Sequence, residues 1–244
     1  MTREFGLIGY PLEHSFSPLY FREKFKRMGI DARYRPFELR FIQDFPNLLT
    51  GFPTLEGLNV TIPHKTAIIN FLDEVDIVAE KLGAVNCIKI KDGKTYGYNT
   101  DIIGFRESLI PLLKPHHDKA LILGNGGAAK AVKHVLDELF IPYLTVVRRG
   151  DGDIKYTSLD PEIIFQHTII INTTPLGMSP NIEGMPPIPY KFITERHLLY
   201  DLVYNPQKTQ FLKQGEEHGA AVKSGLEMLF TQAEAGWDIW NSGH

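Results

Sequence analysis

The sequence predicts an α/β fold in two domains, a mixed sheet followed by a doubly wound parallel sheet. Three observations carry that prediction. From Lys119 onward, continuous apolar runs alternate with helical segments, as in a parallel sheet covered on both faces. The first such run, Leu121-Ile122-Leu123, enters a glycine loop that opens a helix. Before Asp101, strand and helix signals also alternate, but Asp92-Gly93 between two apolar stretches is a hairpin signal, so that sheet must be mixed.

Taken in order, Phe5–Gly9 is a buried strand that stops at Gly9-Tyr10-Pro11. Ser17 as N-cap, with Pro18 at the first helical position, opens a helix to about Met28. Gly57–Ile62 is a strand closed by Pro63; Thr66–Leu72 and Val75–Leu82 have helical spacing, with Gly83 as C-cap. Val85–Ile90 and Thr95–Tyr98 form the hairpin. A helix near Ile102–Leu113 ends at Lys114-Pro115. Ala120–Leu123, a helix over Lys130–Phe140, Leu144–Val147, Thr168–Ile171 and Leu198–Tyr200 then build the parallel sheet, and the proline-rich Ser179–Pro189 is a loop. Leu226, Leu229, Phe230, Ala233, Trp237 and Trp240 form the apolar stripe of a last amphipathic helix. The domains are read as residues 1–101 and 102–225, with helix 226–241 packing back on the first.

Composition excludes several classes. Of 244 residues, 43% are hydrophobic and 23% charged, an ordinary globular balance, and the net charge of −3 draws the whole protein neither to nucleic acid nor to an anionic membrane. No run approaches a membrane span, and the first residues lack a signal-peptide core. Cys87 is the single cysteine, so no internal disulfide forms, and the nine histidines follow no metal-ligand pattern. A cytoplasmic protein without a metal is expected.

Gly124-Asn125-Gly126-Gly127-Ala128-Ala129 follows the G-x-G-x-x-A pattern between strand and helix. Gly124 allows the tight turn, Gly126 lets backbone approach a pyrophosphate, and the helix start offers free N–H groups. An NAD site ordinarily places an acidic residue at the end of the next strand, to accept from the ribose 2′-hydroxyl. Here Arg148 and Arg149 stand there, which suits a 2′-phosphate and so NADP. The pair also reads as a solvated loop.

Polar residues concentrate in three segments of the first domain. Ser15 and Ser17 offer two hydroxyls beside a helix start, although each also reads as a turn or cap residue. Lys65 follows Asn59-Val60-Thr61-Ile62-Pro63-His64 at the start of a helix, where the dipole favours anions; a lysine there breaks a local rule, but it is ordinarily a surface residue. Asn86 interrupts an apolar strand, and Asp101 closes Gly97-Tyr98-Asn99-Thr100 as a helix N-cap.

Taken together these segments resemble the shikimate dehydrogenase family. The resemblance runs through G-x-P-x-x-H-S-x-S-P, N-V-T-I-P-H-K, G-A-V-N, N-T-D-x-x-G-F, G-x-G-G-A-A, I-N-T-T-P-L-G-M, Y-D-L-V-Y and G-L-E-M-L-F-x-Q-A, in that order and over nearly the whole chain. It implies NADPH-dependent, reversible reduction of 3-dehydroshikimate to shikimate, in aromatic amino acid (chorismate) biosynthesis. It implies that Ser15 and Ser17 bind the substrate carboxylate, that Thr61, Asn86, Asp101 and Gln232 contact ring hydroxyls, and that Lys65 and Asp101 are the catalytic pair. Asn59 and Tyr204 fall in matching segments with positioning roles, and Thr173, Thr174, Met178 and Gly225 lie near the cofactor. The chain departs from the family's Asn-Arg-Thr at Val147-Arg148-Arg149-Gly150, where Arg148 is aligned with the family arginine. Asn125 replaces a commoner alanine, at a position expected to present backbone.

In the expected chemistry Lys65 exchanges the proton that accompanies hydride transfer and Asp101 holds it in place. Two alternatives stay open: a quinate/shikimate enzyme with mixed NAD and NADP use, or a nucleotide-binding regulator without turnover. The chain is expected to be a monomer or homodimer.

Overall fold

The structure is a computed structural model that describes residues 2–13 and 15–243; His14, part of the serine-containing opening segment, lies outside the described residues. The chain divides into two compact units, one of residues up to Thr100 together with residues from Ala233, the other Asp101–Gln232.

The first unit contains β1 (Arg3–Gly9), α1 (Phe16–Met28), β2 (Ala32–Glu38), α2 (Phe45–Gly51), β3 (Leu55–Val60), β4 (Glu74–Val75), α3 (Ile77–Leu82), β5 (Cys87–Lys91) and β6 (Lys94–Tyr98). Its six strands lie in the order β2-β1-β3-β5-β6-β4. β2 and β3 run parallel to β1, whereas β5 is antiparallel to both β3 and β6, which makes the sheet mixed as the hairpin signal required. Asp92 and Gly93 both take positive φ (53° and 75°), the backbone of a two-residue turn whose twist matches its strands.

Side-chain alternation puts Phe5 and Cys87 on one face of this sheet and Ile8 and Ile88 on the other, each in its own apolar cluster. Burial on both faces explains the unbroken apolar runs. The face carrying Phe5 packs α1 and the end of the last helix, α8 (Leu226–Asn241). Trp240 stacks on Phe5 at 4.9 Å and donates to the Ile88 carbonyl at 2.9 Å. A Cβ at Gly57 would lie 2.4 Å from the Trp240 ring, so glycine makes room for it. Lys24 of α1, almost fully buried, pairs with Glu234, and burial lowers its pKa.

Local boundaries differ from the sequence reading in physical detail. α1 begins two residues early, so Ser15 and not Ser17 occupies the N-cap position; Ser15 makes no capping bond, and Ser17 sits inside the first turn. Thr66–Leu72 forms only a 3-10 turn, Ala67–Phe71, and Val75 belongs to a short strand, with Asp76 capping α3 through Val78 and Ala79. Asp101 is the first residue of its helix and not the cap before it. β2 is an edge strand half exposed to solvent, which is why its polar sequence gives no apolar signal.

The second unit contains α4 (Asp101–Leu109), β7 (Ala120–Leu123), α5 (Gly127–Glu138), β8 (Tyr143–Val147), β9 (Ile154–Lys155), α6 (Pro161–Gln166), β10 (Ile169–Asn172), β11 (Leu198–Asp201), α7 (Gln210–Glu217), β12 (Ala221–Ser224) and the first half of α8. All six strands pair in parallel in the order β12-β11-β10-β7-β8-β9, the doubly wound arrangement expected. β7, β10 and β11 are wholly buried. Strand order reverses between β7 and β10, and ligands of such sheets bind beyond the strand ends at that switch point. No helix among the described residues is long and apolar enough to cross a membrane.

Candidate active site

In the first unit, the strand directions bring the predicted polar residues to one edge of the sheet. β1, β3 and β6 end there and β5 begins there, so Gly9 closes β1, Thr61 follows β3, Asn86 precedes β5 and Thr100 lies just past β6. A Cβ on Gly9 would lie 2.4 Å from the Thr61 methyl, a close approach only glycine permits. Thr61 N–H donates to Ile8 (2.9 Å), and the turn after it is held by buried His64, whose Nε2 lies 2.6 Å from the Leu39 carbonyl. The Lys65 carbonyl accepts from Val85 N–H at 2.7 Å, which fixes the backbone of half-buried Lys65 beside the segment carrying Asn86.

Asn86 is buried and engaged on both sides of its amide. It donates to the Thr100 hydroxyl (3.0 Å) and accepts from Thr100 N–H (2.7 Å). That pair anchors the residue immediately before Asp101. Tyr34 continues the network: its hydroxyl donates to Asn59 Oδ1 (2.7 Å) and shares a hydrogen bond with Ser17. Burial holds the Tyr34 hydroxyl well above the ordinary tyrosine pKa, so it stays a neutral donor. Tyr34 and Thr100 are functional candidates that sequence reasoning missed. The only cue to Tyr34 was a single aromatic ring set between Arg33 and Arg35, too short a pattern to mark a strand.

In the second unit, Gly124 takes φ 104°, and a Cβ there would meet the Thr174 methyl at 2.8 Å. Gly126 is the N-cap of α5 and brings no side chain to the cap, so no side chain competes for the N–H groups of the helix start. The helix begins at Gly127, three residues earlier than its apolar spacing suggested, because Gly127 and Ala128 carry no bulk to reveal the period. A Cβ on Gly126 or Gly127 would meet nothing within 4 Å, so open space lies above the loop.

Beside this loop is a cavity of about 850 Å³ whose lining includes Gly124, Asn125, Arg148, Arg149, Tyr156 and Thr174. Both arginines of the second strand's end therefore share one cavity with the glycine loop. Gly126, Gly127, Ala128, Thr173, Met178 and Gly225 do not line it. Thr173 spends its hydroxyl on the Leu123 carbonyl (2.8 Å), which leaves Thr174 to face the cavity. Asn125 does more than present backbone: its amide donates to the Asp151 carbonyl (2.8 Å) and accepts from Lys133 (2.8 Å), tying the glycine loop to the segment after the arginines. The donor set, one helix start and two guanidiniums, fits a pyrophosphate and a 2′-phosphate.

The ends of β10 and β11 are clamped by Asp201. Its carboxylate accepts from Asn172 Nδ2 (2.9 Å), Thr209 Oγ1 (2.6 Å) and Val203 N–H (3.0 Å), and Asn172 in turn accepts from Thr174 Oγ1 (2.6 Å). Burial pushes the Asp201 carboxyl up to about 6 despite these donors. With its pKa raised on folding, Asp201 adds stability at low pH that is lost as pH rises through about 6. Asp201→Asn abolishes that titration. The wild type should therefore lose about 2 kcal/mol relative to the variant between roughly pH 4 and 7. Urea melts across that range check this, and a stability difference independent of pH would show that Asp201 does not titrate there.

Gly225 opens α8, where a Cβ would lie 2.2 Å from the Leu202 carbonyl, and half-buried Tyr204 follows the same β11 segment, its hydroxyl pKa raised by burial. On α4, a Cβ on Gly104 would lie 2.5 Å from the Met228 carbonyl and 3.1 Å from Gln232 Cβ. This close packing of α4 on α8 brings Gln232 beside the turn that begins with buried Asp101. Among the described residues, no group of three or more His, Cys, Asp or Glu is placed to hold a metal ion.

Comparison with known proteins identifies the family. Residues 7–88 match the shikimate dehydrogenase substrate binding domain. The chain is 40% identical to the shikimate dehydrogenase (NADP(+)) of Methanosphaera stadtmanae over 96% of its length and 90% of that protein's. Among solved structures it resembles shikimate 5-dehydrogenase from Thermus thermophilus in complex with NADP(H) and shikimate. There the TM-score is 0.87 and the identity 28%, over 98% of this chain and 93% of that one. It also resembles quinate dehydrogenase from Corynebacterium glutamicum in complex with NAD, with TM-score 0.87 and 26% identity over 98% and 94%. The match to a curated relative over almost the whole of both chains is decisive: the chain belongs to the shikimate dehydrogenase family.

Proposed function

We propose that this protein catalyses the reversible, NADP-dependent interconversion of 3-dehydroshikimate and shikimate. The observation that carries the reading is the presence of Lys65 and Asp101 in a chain 40% identical, end to end, to an NADP(+)-dependent shikimate dehydrogenase. The residues present fit the cofactor, with Arg148 and Arg149 for its 2′-phosphate and the start of α5 for its pyrophosphate. When bound, NADPH supplies the hydride.

The protein's own part is orientation and proton movement. Ser15, whose hydroxyl makes no helix cap, donates to the substrate carboxylate, and Ser17 does so from within the Tyr34 network. Thr61, Asn86 and Gln232 bind ring hydroxyls. Lys65 Nζ gives a proton to the oxygen of the reduced carbonyl and takes it back in the reverse direction, with Asp101 as its partner and as a substrate ligand. Met178 and Gly225 contact the cofactor, and Tyr204 helps position substrate. Residues 1–101 with helix 226–241 hold the substrate and residues 102–225 the cofactor. The enzyme is proposed to be cytoplasmic, as a monomer or homodimer.

Initial rates with shikimate and quinate, each with NADP⁺ and NAD⁺, test this reading. The highest kcat/KM is expected for shikimate with NADP⁺. The likeness to a quinate dehydrogenase bound to NAD supplies the second reading. Comparable rates with quinate and NAD⁺ would establish that alternative, and no rate with any combination would make the protein a nucleotide-binding regulator.

A further inference from the structure

The segment after β8 is where this chain departs from its family's sequence pattern, and it is short and tightly built. β9 pairs in parallel with β8 at Val146↔Ile154 and Val147↔Lys155, so the next step along the ladder sets Tyr156 beside Arg148. The intervening loop is pinned at three points. Asp153 N–H donates to the Thr145 carbonyl (2.9 Å) while its carboxylate accepts from Thr145 N–H (2.6 Å). Lys155 Nζ donates to the Gly150 carbonyl (2.7 Å), and Asn125 donates to the Asp151 carbonyl (2.8 Å). The Tyr156 ring packs against the core of the second unit, and the residue lines the same cavity as Arg148 and Arg149.

Its hydroxyl is buried and has no hydrogen-bond partner among the described residues. Core positions that need only a ring are served by phenylalanine, because an unmet buried hydroxyl is costly. Burial raises the hydroxyl pKa to about 12 against the opposing effect of the Arg148 charge, so the group is a neutral donor at physiological pH. A donor beside a guanidinium, on a residue that lines a cavity, calls for an anionic oxygen.

We propose that Tyr156 is a further selectivity residue of the cofactor site, donating its hydroxyl hydrogen to the 2′-phosphate that Arg148 grips. The inference rests on reading this cavity as the 2′-phosphate end of the NADP site. It assigns part of the NADP preference to a short β9 segment in place of the family's usual residue after the arginine.

Calorimetric binding of adenosine 2′,5′-bisphosphate and of adenosine 5′-monophosphate to the full chain tests it without turnover. Tyr156→Phe keeps the ring and should weaken the bisphosphate about tenfold, the scale of one hydrogen bond to a charged group. Binding of the monophosphate should not change. The melting temperature of the free variant should be unchanged or higher, since no protein hydrogen bond is lost; a lower one would assign the hydroxyl a structural role and overturn the proposal. Arg148→Ala serves as the control. If it loses the discrimination and Tyr156→Phe retains it in full, Tyr156 is a core residue only and the proposal is wrong. If both variants discriminate as well as the wild type, the 2′-phosphate lies elsewhere and the reading of the cavity falls with it.

Discussion

Lys65→Ala is expected to lower kcat by roughly 10²–10⁴-fold, the scale of general acid–base catalysis, while the protein stays folded. The structural part of the expectation follows from where Lys65 is held. Its carbonyl accepts from Val85 N–H, a bond that any residue would keep, and its side chain is half exposed rather than built into either core cluster of the first unit. The chemical part follows from what alanine removes. A carbonyl that accepts hydride becomes an alkoxide unless a proton arrives with it, and the other titratable side chain of the matching segment has a structural task. His64, one residue earlier, is buried on the Leu39 carbonyl. Lys65→Arg separates charge from proton exchange. A guanidinium keeps the positive charge but does not deprotonate in this range, so it should restore substrate binding more than kcat. Steady-state rates with thermal melts of each variant check the pair. A folded Lys65→Ala enzyme with unaltered turnover would remove Lys65 from the mechanism.

How far the sequence could be read depended on whether the deciding physics was local. Gly124 and Gly83 were legible because positive φ is a property of one residue, and both take it. The last helix was legible because Trp237 and Trp240 repeat at helical spacing. What the stripe could not say is that Gly57, far away in sequence, clears the space for Trp240. β2 was invisible for the opposite reason. Half of each edge strand faces water, so Arg33, Arg35 and Pro36 hide the one buried ring hydroxyl that links Ser17 to Asn59. β9, α6, α7 and β12 are short and were likewise not anticipated.

The serines show how a two-residue shift changes chemistry. With Ser17 as the cap, its hydroxyl would be spent on the helix and Ser15 would be a turn residue. With the helix starting at Phe16, neither hydroxyl caps it. Ser17 enters the Tyr34 network and Ser15 remains available to an anion near a helix start. Asn125 carries the same lesson. At a position where backbone contact was expected, its side chain reaches across to Asp151, a partner that only the folded loop brings near.

Arg148→Ala should raise the KM for NADP⁺ by about 10- to 100-fold and leave that for NAD⁺ nearly unchanged. The magnitude is that of a paired, charge-assisted contact to phosphate, on the order of 1.5–3 kcal/mol. The asymmetry is the informative part, because NAD⁺ lacks the group that the guanidinium would meet. Arg148 is exposed and its side chain borders a cavity rather than a core, so loss of the fold does not offer a competing explanation. Arg149 lines the same cavity and poses the sharper question. The ladder places Tyr156 beside Arg148, and it is the Arg148 charge that acts on the Tyr156 hydroxyl. That geometry predicts unequal partners: Arg149→Ala should cost less than Arg148→Ala, and combining Arg148→Ala with Tyr156→Phe should cost less than the product of the two separate losses, since both act on one phosphate. Salt supplies an independent check, because a screened phosphate contact weakens as ionic strength rises. The NADP⁺ preference of the wild type should fall with added salt, and that of Arg148→Ala should fall less. Equal effects of Arg148→Ala on both nucleotides would move the 2′-phosphate site away from the end of β8.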